Sequence, residues 1–259
     1  YDENNIKNSK LIFTCFEENT MKYYNIIIKY DDNNANKFLK GLLQLEMSVS
    51  PVTQDIVTLG ATAAHEFLTE EDKKKIDMVI IGTETGVDQS KSASVFIHNL
   101  LGIQPFARCI EIKEACYGAT AGLDFAKKHI ENNPDSYVLL IASDIAKYGI
   151  GTSGESTQGS GSCAMLIKKD PNILILNNDN VCQTRDIMDF WRPNYSAFPY
   201  VDGHFSTKQY LECLETTWAE YVAEHYPNLH LIGTPFDGIG IPDGVKQAKE
   251  LVEKLVNDK

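Results

Sequence analysis

Apolar and polar positions alternate unevenly along this chain, and the unevenness separates it into regions. Residues 1–36 are rich in Asn, Tyr, Ile and Lys, with Met21-Lys-Tyr-Tyr-Asn-Ile-Ile-Ile-Lys29 offering at most one strand and Asp31-Asp-Asn-Asn34 a turn after it. Over 51–67 the apolar positions Ile56, Leu59, Ala63 and Phe67 fall one or two turns apart, which predicts a helix. Asp77-Met-Val-Ile-Ile-Gly82 and Tyr137-Val-Leu-Leu-Ile-Ala-Ser143 are short continuous apolar runs of the kind buried on both faces of a sheet. Helices are predicted over 90–101 and from Cys116 to about Glu131, with a strand over 106–112 between them. Ser162-Cys-Ala-Met-Leu-Ile167 and Asn172-Ile-Leu-Ile-Leu176 read as two strands joined around Asp170-Pro171, and 245–256 as a short terminal helix. Strands alternating with helices at this spacing predict an α/β fold, its sheet parallel at least in part and covered on both faces.

An apolar content of 43% over 259 residues supports a real core, in one large or two small domains. The net charge of −12 argues against a general nucleic-acid or anionic-membrane binder, because both ask for a cationic face. No stretch reaches the 18 or so apolar residues of a membrane span, and the N-terminus lacks the pattern of a cleaved signal. The six cysteines, at 15, 109, 116, 163, 182 and 213, show neither zinc-site spacing nor the density of a disulfide scaffold, so no metal is expected and a cytoplasmic, reducing setting is.

Three constellations carry possible chemistry at the ends of these elements, where α/β folds usually bind ligands. Cys116 opens the small-residue run Cys116-Tyr-Gly-Ala-Thr-Ala-Gly122. A thiol at a helix start meets unpaired N–H groups and the positive helix end, which would lower its pKa; the alternative is an inert buried cysteine. Glu84, in Gly82-Thr-Glu-Thr-Gly-Val-Asp88, is a general acid/base if its site is dry and a solvated loop residue otherwise. The glycine-rich stretch after Asp144-Ile-Ala-Lys-Tyr-Gly149 lacks both phosphate-binding fingerprints and serves either close substrate approach or plain turn chemistry.

Taken together, the segments Gln54-Asp-Ile-Val57, Gly82-Thr-Glu84, 98–108, 111–120, Asp144-Ile-Ala-Lys-Tyr-Gly149, Gly154-Glu-Ser-Thr-Gln-Gly159, Asp189-Phe-Trp-Arg-Pro193 and Val201-Asp-Gly203 resemble the N-terminal portion of the bacterial-type 3-hydroxy-3-methylglutaryl-coenzyme A synthases, a family of the thiolase superfamily. The resemblance implies a thiolase-like fold over about 37–225, flanked by a divergent N-terminal segment, 1–36, and a divergent C-terminal one, 226–259. It implies condensation of acetyl-CoA with acetoacetyl-CoA and water, on the route to isoprenoid precursors, without a cofactor beyond the CoA thioester substrates. Cys116 takes the place of the nucleophile and Glu84 that of the general acid/base, while Tyr148, Gly154 and Thr157 are the substrate-binding positions. A related acyltransferase of the same superfamily, or a non-catalytic partner subunit, is the alternative.

Two departures accompany the resemblance. Ile232-Gly-Thr-Pro-Phe236 puts Gly233 where the family has its histidine, leaving His230 as a displaced substitute or as an exposed or capping residue. The chain also reaches Lys259 after what reads as one half of a duplicated subunit, so a homodimer or a complementary subunit is expected to cover the face left open.

Overall fold

The computed structural model describes residues 48–149, 152 and 154–226, together with 249, 250 and 253. The strand expected over 21–29, His230, Gly233 and nearly all of the helix expected over 245–256 lie outside the described residues. The chain divides into two compact units, one containing 48–176 and 192–199 and the other 177–191 and 200–226 among the described residues.

In the first unit, helix α1 (Ile56–His65) begins at Asp55, whose carboxylate accepts from the Thr58 N–H at 2.8 Å while the Thr58 hydroxyl accepts from the Asp55 N–H at 2.9 Å. This reciprocal pair satisfies two N–H groups that the helix itself cannot. The short helix α2 (Glu70–Lys75) uses Thr69 and Asp72 in the same way. It leads into strand β1 (Ile76–Gly82), followed by helix α3 (Ala93–Leu101), strand β2 (Arg108–Ile112), helix α4 (Gly118–Asn132), strand β3 (Tyr137–Ala146) and strand β4 (Gly159–Ile167). A 3-10 turn at Glu155–Thr157 lies just ahead of β4.

The four strands form one sheet in the order β2-β1-β3-β4. β1 runs parallel to β2 and β3, and β4 is antiparallel to β3. The expected mixed, mostly parallel sheet is therefore present. Its two central strands explain their own unbroken apolar runs. Val79, Ile81, Leu139 and Ile141 pack on one face with Ile56, Ala64, Ile97 and Leu101 of α1 and α3. Met78, Ile80, Val138 and Leu140 pack on the other with Ala126 and Ile130 of α4. Alternate side chains go to opposite faces, and because helices cover both, none can be polar. Each fully buried Ile or Leu contributes about 1.5–3 kcal/mol.

The strand expected over 172–176 is absent: the segment has no ladder partner among the described residues, and Leu174 and Ile175 are 68% and 80% exposed. An apolar run becomes a strand only where a neighbour can take its backbone N–H and C=O groups. The second unit holds two strands of two residues each, β5 (Phe190–Trp191) and β6 (Tyr200–Val201), which pair antiparallel with Trp191 stacked on Tyr200 at 4.9 Å. It also holds a 23-residue helix, α5 (Gly203–His225), started by the Asp202 side chain accepting from the Phe205 N–H at 3.0 Å.

Close backbone approach sets where α4 begins. A Cβ on Gly82, the last residue of β1, would lie 2.2 Å from the Ala119 nitrogen and 2.6 Å from the Gly118 carbonyl carbon. A Cβ on Gly118 would lie 2.8 Å from the Ile112 carbonyl oxygen. Only glycine lets the first turn of α4 rest on the ends of β1 and β2. Gly82→Ala is therefore expected to destabilise the fold by about 1–3 kcal/mol and to displace the turn that carries Cys116. Urea unfolding and the rate of iodoacetamide labelling at Cys116 measure the two effects, and a variant unchanged in both would refute the contact.

Candidate active site

Glu84 and Cys116 stand beyond the ends of two neighbouring parallel strands. β1 ends at Gly82, and the chain continues through buried Thr83 to half-buried Glu84. β2 ends at Ile112, and residues 113–117 turn sharply into α4. Ala115 has φ +42°, a left-handed conformation in a residue that carries a Cβ. Such backbone costs on the order of 1–3 kcal/mol and persists only where the surroundings impose it. The Tyr117 N–H donates to the Glu114 carbonyl at 2.9 Å, closing the turn around the cysteine.

The helix proper starts at Gly118 with Tyr117 as its cap, so Cys116 precedes the first turn instead of opening it. This changes the expected electrostatics. The thiol pKa is raised, not lowered: burial is the largest cause, followed by the charges of Glu84 and Asp144, with a backbone hydrogen bond opposing. Cys116 is nonetheless exposed by accessible area, so the burial effect is that of a crowded rim open to solvent. Burial first, and then the two nearby carboxylates, set the direction for a thiol that stands just ahead of the helix.

Asp144, near the end of β3, organises the Glu84 loop. One of its oxygens, Oδ1, accepts from the Thr83 hydroxyl at 2.8 Å, the Glu84 N–H at 2.8 Å, the Thr85 N–H at 3.2 Å and the Thr85 hydroxyl at 2.9 Å. The Glu84 pKa is raised by burial first and by the Asp144 charge second, while Arg192 and a hydrogen bond from Tyr148 pull it down. The Tyr148 hydroxyl lies 3.5 Å from Glu84 Oε1, a long contact. Burial, then the negative charges around it, push the Tyr148 pKa up to about 12. Tyr148 is fixed through its backbone: the Gln158 side-chain oxygen accepts from the N–H groups of Tyr148 and Gly149 at 2.8 and 3.1 Å, and the Thr152 hydroxyl donates to the Tyr148 carbonyl at 3.0 Å.

The structure thus brings Cys116, Glu84 and Tyr148 together. Gly154 packs against Tyr148, where a Cβ would lie 2.8 Å from the tyrosine Cβ. Thr157 is exposed and its hydroxyl donates to the Gly154 carbonyl at 2.8 Å. Thr157 also lines an open cavity of about 480 Å³ along β4 with Ser48, Asp144, Gln158 and Cys163. Glu84, Cys116 and Tyr148 lie outside that lining, so the cavity is distinct from the space in front of the thiol. Among the described residues no group of three or more His, Cys, Asp or Glu side chains is arranged to hold a metal ion, and no helix is long and apolar enough to cross a membrane. Asp144, Gln158 and Arg192 were not singled out as site residues from sequence. All three lie in segments that carry the resemblance, Asp144 in 144–149, Gln158 in 154–159 and Arg192 in 189–193, but nothing local in the sequence ties any of them to Glu84.

A thiol and a carboxyl of raised pKa, set at the ends of parallel strands in an α/β sheet covered on both faces, define a protein of thiolase-like architecture. Residues 16–172 match the family model described as hydroxymethylglutaryl-coenzyme A synthase N terminal, and residues 176–230 the corresponding C-terminal model. The chain belongs to the hydroxymethylglutaryl-coenzyme A synthase family. It is 55% identical over 188 residues to the hydroxymethylglutaryl-CoA synthase of Enterococcus faecalis, an alignment covering 73% of this chain and 49% of that protein. A crystal structure of an HMG-CoA synthase complexed with CoA superposes with TM-score 0.72 at 65% identity, over 73% of this chain and 49% of the other. A structure in complex with 3-hydroxy-3-methylglutaryl coenzyme A superposes with TM-score 0.67 at 37% identity, over 73% and 47%. The chain spans about half the length of the curated relatives it matches.

The raised Glu84 pKa has a consequence for stability. A carboxyl whose pKa is higher in the folded state supports the fold fully below its unfolded value, about 4.3, and that support is lost as pH rises through the folded value. Glu84→Gln is therefore expected to melt higher than wild type near neutral pH, with the gap closing as pH falls toward about 4. Thermal melts at the two pH values check this, and a gap independent of pH would contradict it. Asp144→Asn keeps an acceptor but removes a charge, so the Cys116 alkylation profile is expected to move to lower pH; an unmoved profile would place Asp144 too far from the thiol to matter.

Proposed function

We infer that this chain carries the acyl-transfer and condensation centre of a hydroxymethylglutaryl-CoA synthase, joining acetyl-CoA to acetoacetyl-CoA with water to give 3-hydroxy-3-methylglutaryl-CoA and CoA. One observation carries this reading: the carboxyl of Glu84 and the thiol of Cys116 come from adjacent strand ends and sit close enough for the glutamate charge to raise the thiol pKa. Family membership and likeness to synthases holding CoA and its hydroxymethylglutaryl thioester support it.

The steps follow from the groups present. Cys116 Sγ attacks the acetyl thioester carbonyl, CoA leaves as the thiol with the proton that Cys116 gives up, and an acetyl-cysteine remains. The Glu84 carboxylate removes a proton from the acetyl methyl, and the resulting carbon attacks the ketone of acetoacetyl-CoA. Protonated Glu84 returns that proton to the new tertiary alkoxide. Water then cleaves the cysteine thioester, leaving the carboxylate on the product and restoring the thiol. A carboxyl of raised pKa suits both duties, since it accepts and returns a proton at small cost. Tyr148, with Gly154 behind it, forms a wall of the acyl pocket. Thr157 belongs to the substrate-binding set through the glycine loop. His230, three residues ahead of the position where the family has its histidine, is the candidate substitute for it, the alternative being an exposed or capping residue. We assign the chain to the cytoplasm, the compartment its cysteine usage favours, as a homodimer or with a complementary subunit.

Incubation with acetyl-CoA followed by intact mass measurement is expected to show a gain of one acetyl group. That gain disappears in Cys116→Ala and persists in Cys109→Ala and Cys163→Ala. Acetylation surviving loss of Cys116 would remove it as nucleophile. Glu84→Ala is expected to take up the acetyl group but to lose about 10²- to 10⁴-fold in condensation with acetoacetyl-CoA, and condensation at the wild-type rate would remove Glu84 from the mechanism. His230→Ala decides that role: a sharp fall in turnover with an unchanged circular dichroism spectrum assigns His230 the work of the family histidine, and an almost silent variant makes it an exposed or capping residue.

A further inference from the structure

We propose that Arg192 is a positioning residue for Glu84, holding the glutamate peptide from the side opposite Asp144 and balancing the negative charge gathered there. For the reaction, the inference rests on the reading of Glu84 as its general acid/base. The geometry is that of a two-sided clamp on one peptide. The N–H of the Glu84–Thr85 peptide donates to Asp144 Oδ1 at 3.2 Å, and the Glu84 N–H of the peptide before it does so at 2.8 Å. The Glu84 carbonyl accepts from Arg192 Nη2. Both partners belong to the same compact unit as Glu84. The two contacts reach the loop from different parts of the chain, one from β3 and one from the Phe190-Trp-Arg-Pro193 segment.

The position has a local cause. Pro193 fixes the backbone just after Arg192, and its carbonyl accepts from the Ser196 N–H at 2.9 Å, so the arginine leaves from the start of a turn. Arg192 is exposed overall, yet its guanidinium reaches the Glu84 backbone. A delocalised guanidinium can bond a carbonyl with one N–H and still present charge to a neighbouring carboxyl, which a lysine ammonium at the end of a flexible stem does less well.

The charge matters because, among the described residues that shift the Glu84 pKa, the others are anionic or neutral. Asp144 faces it from β3, Tyr148 from the segment after β3, and Cys116 from the turn before α4. Arg192 is the cation whose charge pulls the Glu84 pKa down against burial and Asp144. Without it, the Glu84 carboxyl would spend more of its time protonated and unable to act as a base, and its peptide would be tied on one side only. Arg192 touches no reacting atom in this arrangement; it acts through Glu84.

The test is titration of the Glu84 carboxyl in the 259-residue chain by ¹³C NMR with side-chain-labelled glutamate, the resonance assigned by its loss in Glu84→Gln. In Arg192→Met the midpoint is expected to move to higher pH, and in Arg192→Lys to return part of the way. Condensation is expected to fall about tenfold or more in Arg192→Met, with the acidic limb of its pH profile moving to higher pH in step and acetylation of Cys116 kept. A Glu84 midpoint unmoved in Arg192→Met would overturn the proposal, as would equal shifts at Glu84 and at remote carboxyls such as Glu131, which would signal general loosening. The titration needs no turnover. If Glu84→Gln condensed as fast as wild type, the functional reading would fall while the titration still decided the placement of Arg192.

Discussion

One carboxylate oxygen, Oδ1 of Asp144, holds the site together. It accepts four hydrogen bonds from three consecutive residues, Thr83, Glu84 and Thr85. Those donors belong to the end of β1 and the acceptor to β3, and the two strands are neighbours in the parallel sheet. The sheet therefore sets the distance, and the carboxylate turns that distance into a fixed loop. Charge-assisted bonds of this kind are roughly twice as strong as neutral ones. Thr83 is fully buried, so loss of the acceptor would strand its hydroxyl away from water.

The same sheet sets the thiol's position by a different means. Backbone packing, more than a side-chain partner, places Cys116. The glycines at 82 and 118 let α4 settle onto the ends of β1 and β2, and the chain between β2 and the helix has too few residues to relax, which leaves Ala115 at φ +42°. The two halves of the site thus have different failure modes. The glutamate loop depends on polar satisfaction and fails when a charge is lost. The cysteine turn depends on steric clearance and fails when a methyl group is added. Both rest on two central strands with Ile80, Ile81, Leu140 and Ile141 fully buried, which keep their ends in register.

Much of this was legible in sequence because burial on two faces leaves a strong mark. The runs Met78–Ile81 and Val138–Ile141 read as strands buried on both faces, and α1 showed a one-sided apolar period. Cys116, Glu84 and Tyr148 were readable as motifs, and the structure brings them together. The misses have physical reasons. Residues 172–176 carry the composition of a strand but join no β-ladder among the described residues, and pairing is non-local information. Helix α5 has no buried residues among its 23 and so shows no apolar stripe to read; its Asp202 cap was the available sign. The direction of the Cys116 pKa depends on charges 32 and 28 residues away in sequence, at Glu84 and Asp144, and no local pattern encodes that. Arg192 is the extreme case, 108 residues from the peptide it holds.

The electrostatics of the site also constrain the order of events in the proposed reaction. Burial and two carboxylates keep Cys116 mainly a neutral thiol, so its proton must leave as the sulfur attacks and not beforehand. Acetylation then removes an ionisable group from beside Glu84, and the next charge to appear is the enolate oxygen of the bound acetyl group. Glu84 is neutral once it has taken the methyl proton, so the enolate faces the Asp144 charge and is poorly placed unless a donor reaches it. With its pKa pushed up to about 12, Tyr148 stays a hydroxyl through every protonation change at its neighbours. The negative surroundings that make thiolate formation difficult are thus the same ones that keep a proton on Tyr148, and they favour a mechanism in which protons move with the bonds over one built on a standing thiolate.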